Sequence, residues 1–157
     1  MKKFSKYFTF EELTRTNPEI FKRYGVKNEP NAQQIENLQR IAKTILDPLR
    51  EAIGKPLYIS SGYRNLQYNK IIGGAPGSQH TIGEAVDIDG DVTGVSNRLI
   101  FEELKKLPFD QIIWEFGDKE PDWVHVSLRK EKNRGNILKA VRSNGVTKYV
   151  TFAQEKS

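Results

Sequence analysis

The chain contains two histidines, His80 and His125, and each lies in a segment whose neighbours could do chemistry. His80 sits in SQHTIGEAVDID, a glycine-bearing loop that runs into a short apolar stretch holding Asp87. On a strand successive side chains alternate faces, so Ala85 and Asp87 point together and Val86 and Ile88 point the other way. His125 falls in DWVHVSL, on the same face as Trp123 and Ser127. Zinc accepts imidazole nitrogen and carboxylate oxygen, and a catalytic zinc takes three protein ligands plus water. His80, Asp87 and His125 supply that number. With no cysteine and no third histidine, they are the one zinc site the chain can assemble, with a position left open for catalysis.

The elements that must position these residues are readable from periodicity and caps. Thr9, with Glu12 three residues on, predicts a capping box and a short helix over 11–16. Asn31 precedes an amphipathic helix over 32–53, carrying Ile35, Leu38, Ile41, Ile45, Leu46 and Leu49 at three- and four-residue steps. Pro48 should kink or split that helix, and Gly54 should stop it. PLYISSGYR reads as a strand entering a loop. A short helix over 66–72 follows, ended by Gly73 and Gly74. EAVDIDG is a short strand, and 96–107 a second amphipathic helix. DQIIWEF and DWVHVSL, joined by the turn-rich GDKEPD, form an antiparallel hairpin. From Lys130 the tail reads as a basic loop with a last strand at KYVTF. Helices mixed with short, mainly antiparallel strands place the chain in the α+β class: a small sheet with helices packed on it.

Composition narrows the setting. At 157 residues the chain suits a single domain, with 1–30 as an N-terminal extension and 130–157 as a basic C-terminal segment. No apolar run approaches the ~20 residues needed to span a bilayer, and the start, MKKFSKYFTFEEL, lacks the apolar stretch of a signal peptide. The net charge of +5 favours anionic partners. Nucleic acid is not expected among them, because no recognition helix or stacking motif accompanies the charge.

Three ordered segments, SGYRN (61–65), SQHTIGEAVDI (78–88) and DWVHVSL (122–128), resemble the zinc D-Ala-D-Ala carboxypeptidase and L-alanyl-D-glutamate endopeptidase family, which acts on peptidoglycan. Ser78, His80, Gly83, Ala85 and Asp87 match the first part of that family's metal signature, S-x-H-x-x-G-x-A-x-D. Trp123 and His125 match its distant W-x-H, and Ser61, Gly62, Tyr63 and Arg64 match its arginine segment. The similarity spans about residues 30–140. It implies a fold like that of the DD-peptidases and hedgehog domains. It also implies Zn2+ on His80, Asp87 and His125, and hydrolysis of amide bonds in stem peptides, most simply as a D-Ala-D-Ala carboxypeptidase; a monomer is expected.

The same resemblance implies roles for other residues. Arg64 pairs with the substrate, since guanidinium meets a carboxylate or polarised carbonyl by two parallel hydrogen bonds. Asp122, three residues before the last histidine, occupies the family's general-base position, with Glu115 as its rival from the preceding strand. Glu120, in the turn, reads as a solvated charge. Ser78, Gln79 and Tyr63 are candidates to line the substrate pocket, although Tyr63 equally suits packing. Trp114 and Trp123 read as core. The expected setting is cytoplasmic synthesis with action on the cell wall, as for a phage or prophage lysis enzyme, the basic tail holding anionic wall polymer. The alternative is a wall-binding module that keeps the metal and has lost catalysis. Neither reading decides between trimming a terminal D-alanine and cutting inside a stem.

Overall fold

A computed structural model describes residues 2–152. Its centre is a six-stranded, mostly antiparallel sheet in an α+β fold. The strands are β1 (Ile59–Ser61), β2 (Ala85–Ile88), β3 (Gln111–Glu115), β4 (Trp123–Ser127), β5 (Asn136–Ser143) and β6 (Val146–Thr151), in the order β1-β2-β4-β3-β5-β6. The β3–β5 pair alone is parallel.

Alternation divides the sheet into two faces. Val86, Ile88, Ile112, Trp114, Val124 and Val126 turn to the core, in one cluster with Leu38, Ile41, Ile45, Leu46 and Leu49 of the long helix and Ile100, Phe101 and Leu104 of a later one. Asp87, Ile113 and His125 form a row across the other face, since Asp87 pairs with His125 and His125 with Ile113. One register thus buries the apolar set and presents the polar set together, because a slip of one residue would exchange the two.

The helices are α1 (Phe10–Thr14), α2 (Pro18–Tyr24), α3 (Ala32–Ile41), α4 (Asp47–Ile53), α5 (Leu66–Ile71) and α6 (Asn97–Leu104). The capping box of Thr9 and Glu12 is formed at α1. The helix expected over 32–53 runs through its whole length but widens to a π-helical turn at Ala42–Leu46, just before Pro48. Pro48 has no N–H to give and its ring crowds the preceding turn, so the chain adjusts there instead of breaking.

Two elements depart from expectation. Residues 18–24, expected as irregular, form α2, capped by Asn17, opened by Pro18 and closed by left-handed Gly25. None of its residues is buried, so no apolar face announces it and only its ends carry a signal. Residues 136–143, expected as basic loop, form β5 beside β3. In the N-terminal segment, Phe4, Phe8 and Leu13 are buried in the main core cluster. Among the described residues, no helix is long and apolar enough to cross a membrane.

Candidate metal centre and cleft

His125 and Asp87 meet because they are cross-strand neighbours on one face of β2 and β4, where opposed side chains lie within reach of each other. His80 arrives from a 3-10 turn, Gln79–Ile82, capped by the Ser78 hydroxyl and ended by left-handed Gly83. Gly83 is required twice over. Its φ is +76°, and a Cβ there would press on the backbone of Gln34.

The three side chains converge within 4.8 Å of one another, all buried. Asp87 Oδ1 lies 3.0 Å from His125 Nδ1 and 3.3 Å from His80 Nε2. His80 Nδ1 donates to the Gly62 carbonyl at 2.8 Å. That bond fixes the ring and turns the Nε2 lone pair into the site, as backbone carbonyls behind metal-ligating histidines do. Gly62 must itself be glycine, because a Cβ would collide with the Leu13 carbonyl. His80 Nε2 is buried with no hydrogen-bond partner among the described residues, an arrangement that costs free energy unless something else meets the nitrogen.

Protonation suits the same purpose. Burial lowers the pKa of His80, leaving it a neutral imidazole. Burial alone would raise that of Asp87, but the neighbouring histidines outweigh it and hold the carboxyl well below the usual carboxylate range. One neutral imidazole nitrogen, a second imidazole and an ionised carboxylate oxygen, one of them otherwise orphaned, fit a metal ion such as zinc.

The cluster floors a cleft of about 570 Å³, the size of many small-ligand sites. Arg64 lines it, donating from Nε to Ser61 Oγ (2.9 Å), from Nη1 to Asn69 Oδ1 (3.0 Å) and from Nη2 to Asp87 Oδ2 (3.4 Å). Asn69 in turn donates to the Ala75 carbonyl at 3.0 Å, tying the arginine to the glycine-rich cleft edge. Ser78 and Gln79 line the cleft as expected. Tyr63 does not. It is 4% exposed within the core cluster, so of its two readings, packing holds.

The two acidic candidates part company. Glu115 lines the cleft and is 7% exposed. Burial, and then the Asp87 charge, push its pKa up to about 7. Asp122 is exposed and lines a separate cavity with Phe116, Lys139 and Arg142. The physical reason is parity: Trp123 and His125 share the cleft face of β4, and Asp122 precedes Trp123 by one residue. Of the two candidates for the general base, the structure thus brings Glu115 into the cleft and leaves Asp122 outside it. Glu120 is engaged outside the cleft, capping α6 by accepting from Ser96 Oγ and the Arg98 N–H, both at 2.6 Å. Of the tryptophans, Trp114 is core, whereas Trp123 lines the cleft, edge-on to Phe116.

Several cleft residues escape sequence reasoning. Phe116 adopts φ +63°, a left-handed conformation rare for an aromatic residue. Arg129, Arg134, Leu138, Thr147 and Tyr149 form a wall from the stretch expected to be a basic surface segment. Asp110, 0% exposed, anchors that wall. Nothing in FDQIIWEF alone marks Asp110 as buried, because its partners lie on a later segment.

A buried His-Asp-His cluster, a carboxyl poised near neutrality and a fixed arginine in one cleft can activate water against a carbonyl and carry its proton. Comparison with curated proteins returns no match. The family model described as peptidase M15 matches residues 6–127, a span that holds the cluster, Arg64 and Glu115, and the chain belongs to that peptidase family.

Proposed function

We propose that this peptidase is zinc-dependent and hydrolyses amide bonds in peptidoglycan stem peptides, as a D-Ala-D-Ala carboxypeptidase in its simplest form. The observation that carries this is the orphaned, buried His80 Nε2 facing Asp87 and His125, with Glu115 buried in the same cleft. His80, Asp87 and His125 would hold the ion, which when bound acidifies water and polarises a carbonyl.

The remaining steps belong to the chain's own side chains. Glu115, in its ionised form, takes a proton from the attacking water at a carboxylate oxygen. It returns that proton to the amide nitrogen as the C–N bond breaks, so the products are a carboxylate and an amine. Arg64, locked by Ser61, Asn69 and Asp87, directs its remaining guanidinium hydrogens at the oxygen that gains negative charge, at no cost of reorganisation. Trp123 and Phe116 line the cleft on the side of Glu115 and His125 in the strand register. The whole chain would work as one peptidase unit, as a monomer acting on the wall.

The test is to purify the protein, count bound metal by mass spectrometry, and digest defined muropeptides with mass-spectrometric readout. One zinc per chain and loss of a terminal D-alanine support the reading. Protein that binds no zinc and stays inert when zinc is supplied overturns it. Cleavage inside the stem keeps the zinc peptidase and replaces the carboxypeptidase type.

A further inference from the structure

The cleft has a cationic wall that the metal cluster, Arg64 and Glu115 leave unexplained. Asp110 is fully buried where it opens β3. It accepts from Arg134 Nη2 at 2.6 Å, Nε at 3.1 Å and the Arg134 backbone N–H at 2.9 Å. Ser127 Oγ and Gln79 Nε2 donate to it at 3.2 and 3.1 Å, and Arg129 Nε lies 3.4 Å away. One carboxylate therefore faces two guanidiniums, so these three groups together carry one net positive charge, with the Glu84 carboxylate acting on Arg134 as a further, weaker counter-charge.

Both guanidiniums remain partly open, with side chains 38% and 39% exposed for Arg129 and Arg134, and both line the cleft. The described hydrogen bonds use Arg134 Nε and Nη2 and leave Nη1 uncommitted. Arg64 differs: its side chain is 13% exposed, and all three of its nitrogens are engaged. Gln79 bridges the wall to the reacting end, giving its N–H to Asp110 and accepting from Arg134 Nη2 at 3.3 Å, one residue from His80. Arg129 and Arg134 lie beyond residues 6–127, the span of the family match, whereas Asp110, which holds them, and Gln79 and Ser127, which donate to Asp110, lie within it.

We propose that Arg129 and Arg134, clamped on Asp110, form an anion subsite that takes a free carboxylate of the peptide substrate beside the scissile bond. A guanidinium fixed in advance, as Arg134 is by its bonds to Asp110, gives up little side-chain entropy on binding, and charge-assisted hydrogen bonds to carboxylate are among the strong ones. The carboxylate has two possible sources, the C-terminus of the peptide or an acidic side chain next to the cut. This proposal rests on the peptidase reading for its ligand class.

The test measures binding by calorimetry on zinc-loaded Glu115→Gln protein, in which hydrolysis is slowed, and hydrolysis separately on wild type. The probes are acetyl-L-lysyl-D-alanyl-D-alanine as free acid and as C-terminal amide, and L-alanyl-D-glutamate and L-alanyl-D-glutamine, both C-terminally amidated. The expected result is about a tenfold preference for the acid member of one pair, the size of one charge-assisted hydrogen bond, and that pair names the source. Adding Arg129→Gln should collapse the preference. Arg134→Lys, which keeps the charge but loses the fork, should weaken it, with folding checked by circular dichroism. Equal binding within both pairs, an acid preference that survives both arginine variants, or no binding of any probe overturns the subsite. Hydrolysis at equal KM within both pairs sinks the subsite and leaves the peptidase standing. An arginine-dependent acid preference without hydrolysis by wild type keeps the subsite and removes the peptidase reading.

Discussion

Asp122 gives its backbone N–H to the Glu115 carbonyl at 2.9 Å, yet the two side chains serve different cavities. Glu115 stands opposite Trp123 in the β3–β4 register, on the His125 face, while Asp122 is exposed outside the cleft. Glu115→Gln should therefore lower kcat/KM by about 10²- to 10⁴-fold, the usual worth of a general base, with zinc content unchanged. Asp122→Asn should stay within about threefold of wild type, as an exposed substitution does. Steady-state hydrolysis of one muropeptide by both variants decides. A large loss in Asp122→Asn with Glu115→Gln active would reverse the assignment.

The raised pKa of Glu115, about 7 against an ordinary 4.5, makes a signed statement about stability. Between those values the native state holds a proton that the unfolded state has released. The stabilisation is complete below pH 4.5 and is lost as pH rises through 7, on the order of 3 kcal/mol in all. His80, whose pKa is lowered, acts in the opposite sense near neutrality, so wild type alone is ambiguous. In metal-free protein the stability difference between Glu115→Gln and wild type should swing toward the variant between pH 5 and 8. A difference flat with pH in urea titrations would mean that Glu115 is not held protonated.

The site was more legible than its surroundings, for a physical reason. His80, Asp87 and His125 are brought together by two local rules, strand alternation and a glycine-shaped turn, and both can be read within a dozen residues. The same alternation, carried one residue further, separates Asp122 from Trp123 and His125. The resemblance that favoured Asp122 by its position in a motif does not contain that parity argument. The wall built on Asp110 was hidden because its bonds join positions 79, 110, 127, 129 and 134. A buried carboxylate is recognisable only once its partners are placed. β5 was hidden by its lysine and arginine: Lys139 lies over the Trp114 ring and Arg142 over Phe116, so charges that suggest solvent cover aromatic faces.

Removing the metal should show in stability as well as in activity. Three buried donors in contact across β2, β4 and the 3-10 turn could bind an ion in the folded state and would bind it scarcely at all in the unfolded chain. At 100-fold excess over Kd the ion should add about 2.7 kcal/mol. Differential scanning fluorimetry should show the Tm falling on chelation and returning with added zinc. His80→Ala and His125→Ala should lack the zinc-dependent rise. A Tm indifferent to chelator and zinc would remove the metal from the cluster.

Asp110 should prove the most costly polar residue to lose outside the metal cluster. Its burial would raise its pKa, but the Arg134 side chain and backbone bonds outweigh that and hold the carboxyl far below the usual range. Asp110→Asn keeps the shape, removes the charge and leaves Arg129 and Arg134 facing each other without a counter-ion. Breaking a buried pair costs ~3–5 kcal/mol, and the partial exposure of both arginines should bring this nearer 2–3 kcal/mol through solvent screening. The sign with pH is fixed by the depressed pKa: the carboxylate's contribution is present above pH 4 and is lost as pH falls below it. The urea midpoint of Asp110→Asn should thus sit well below wild type at pH 7 and approach it in acid. Because Gln79 donates to the same carboxylate next to His80, the variant should also raise KM more than it lowers kcat. A variant as stable as wild type at pH 7 would show that the buried pair contributes nothing net, and that the arginines are held by the cleft wall itself.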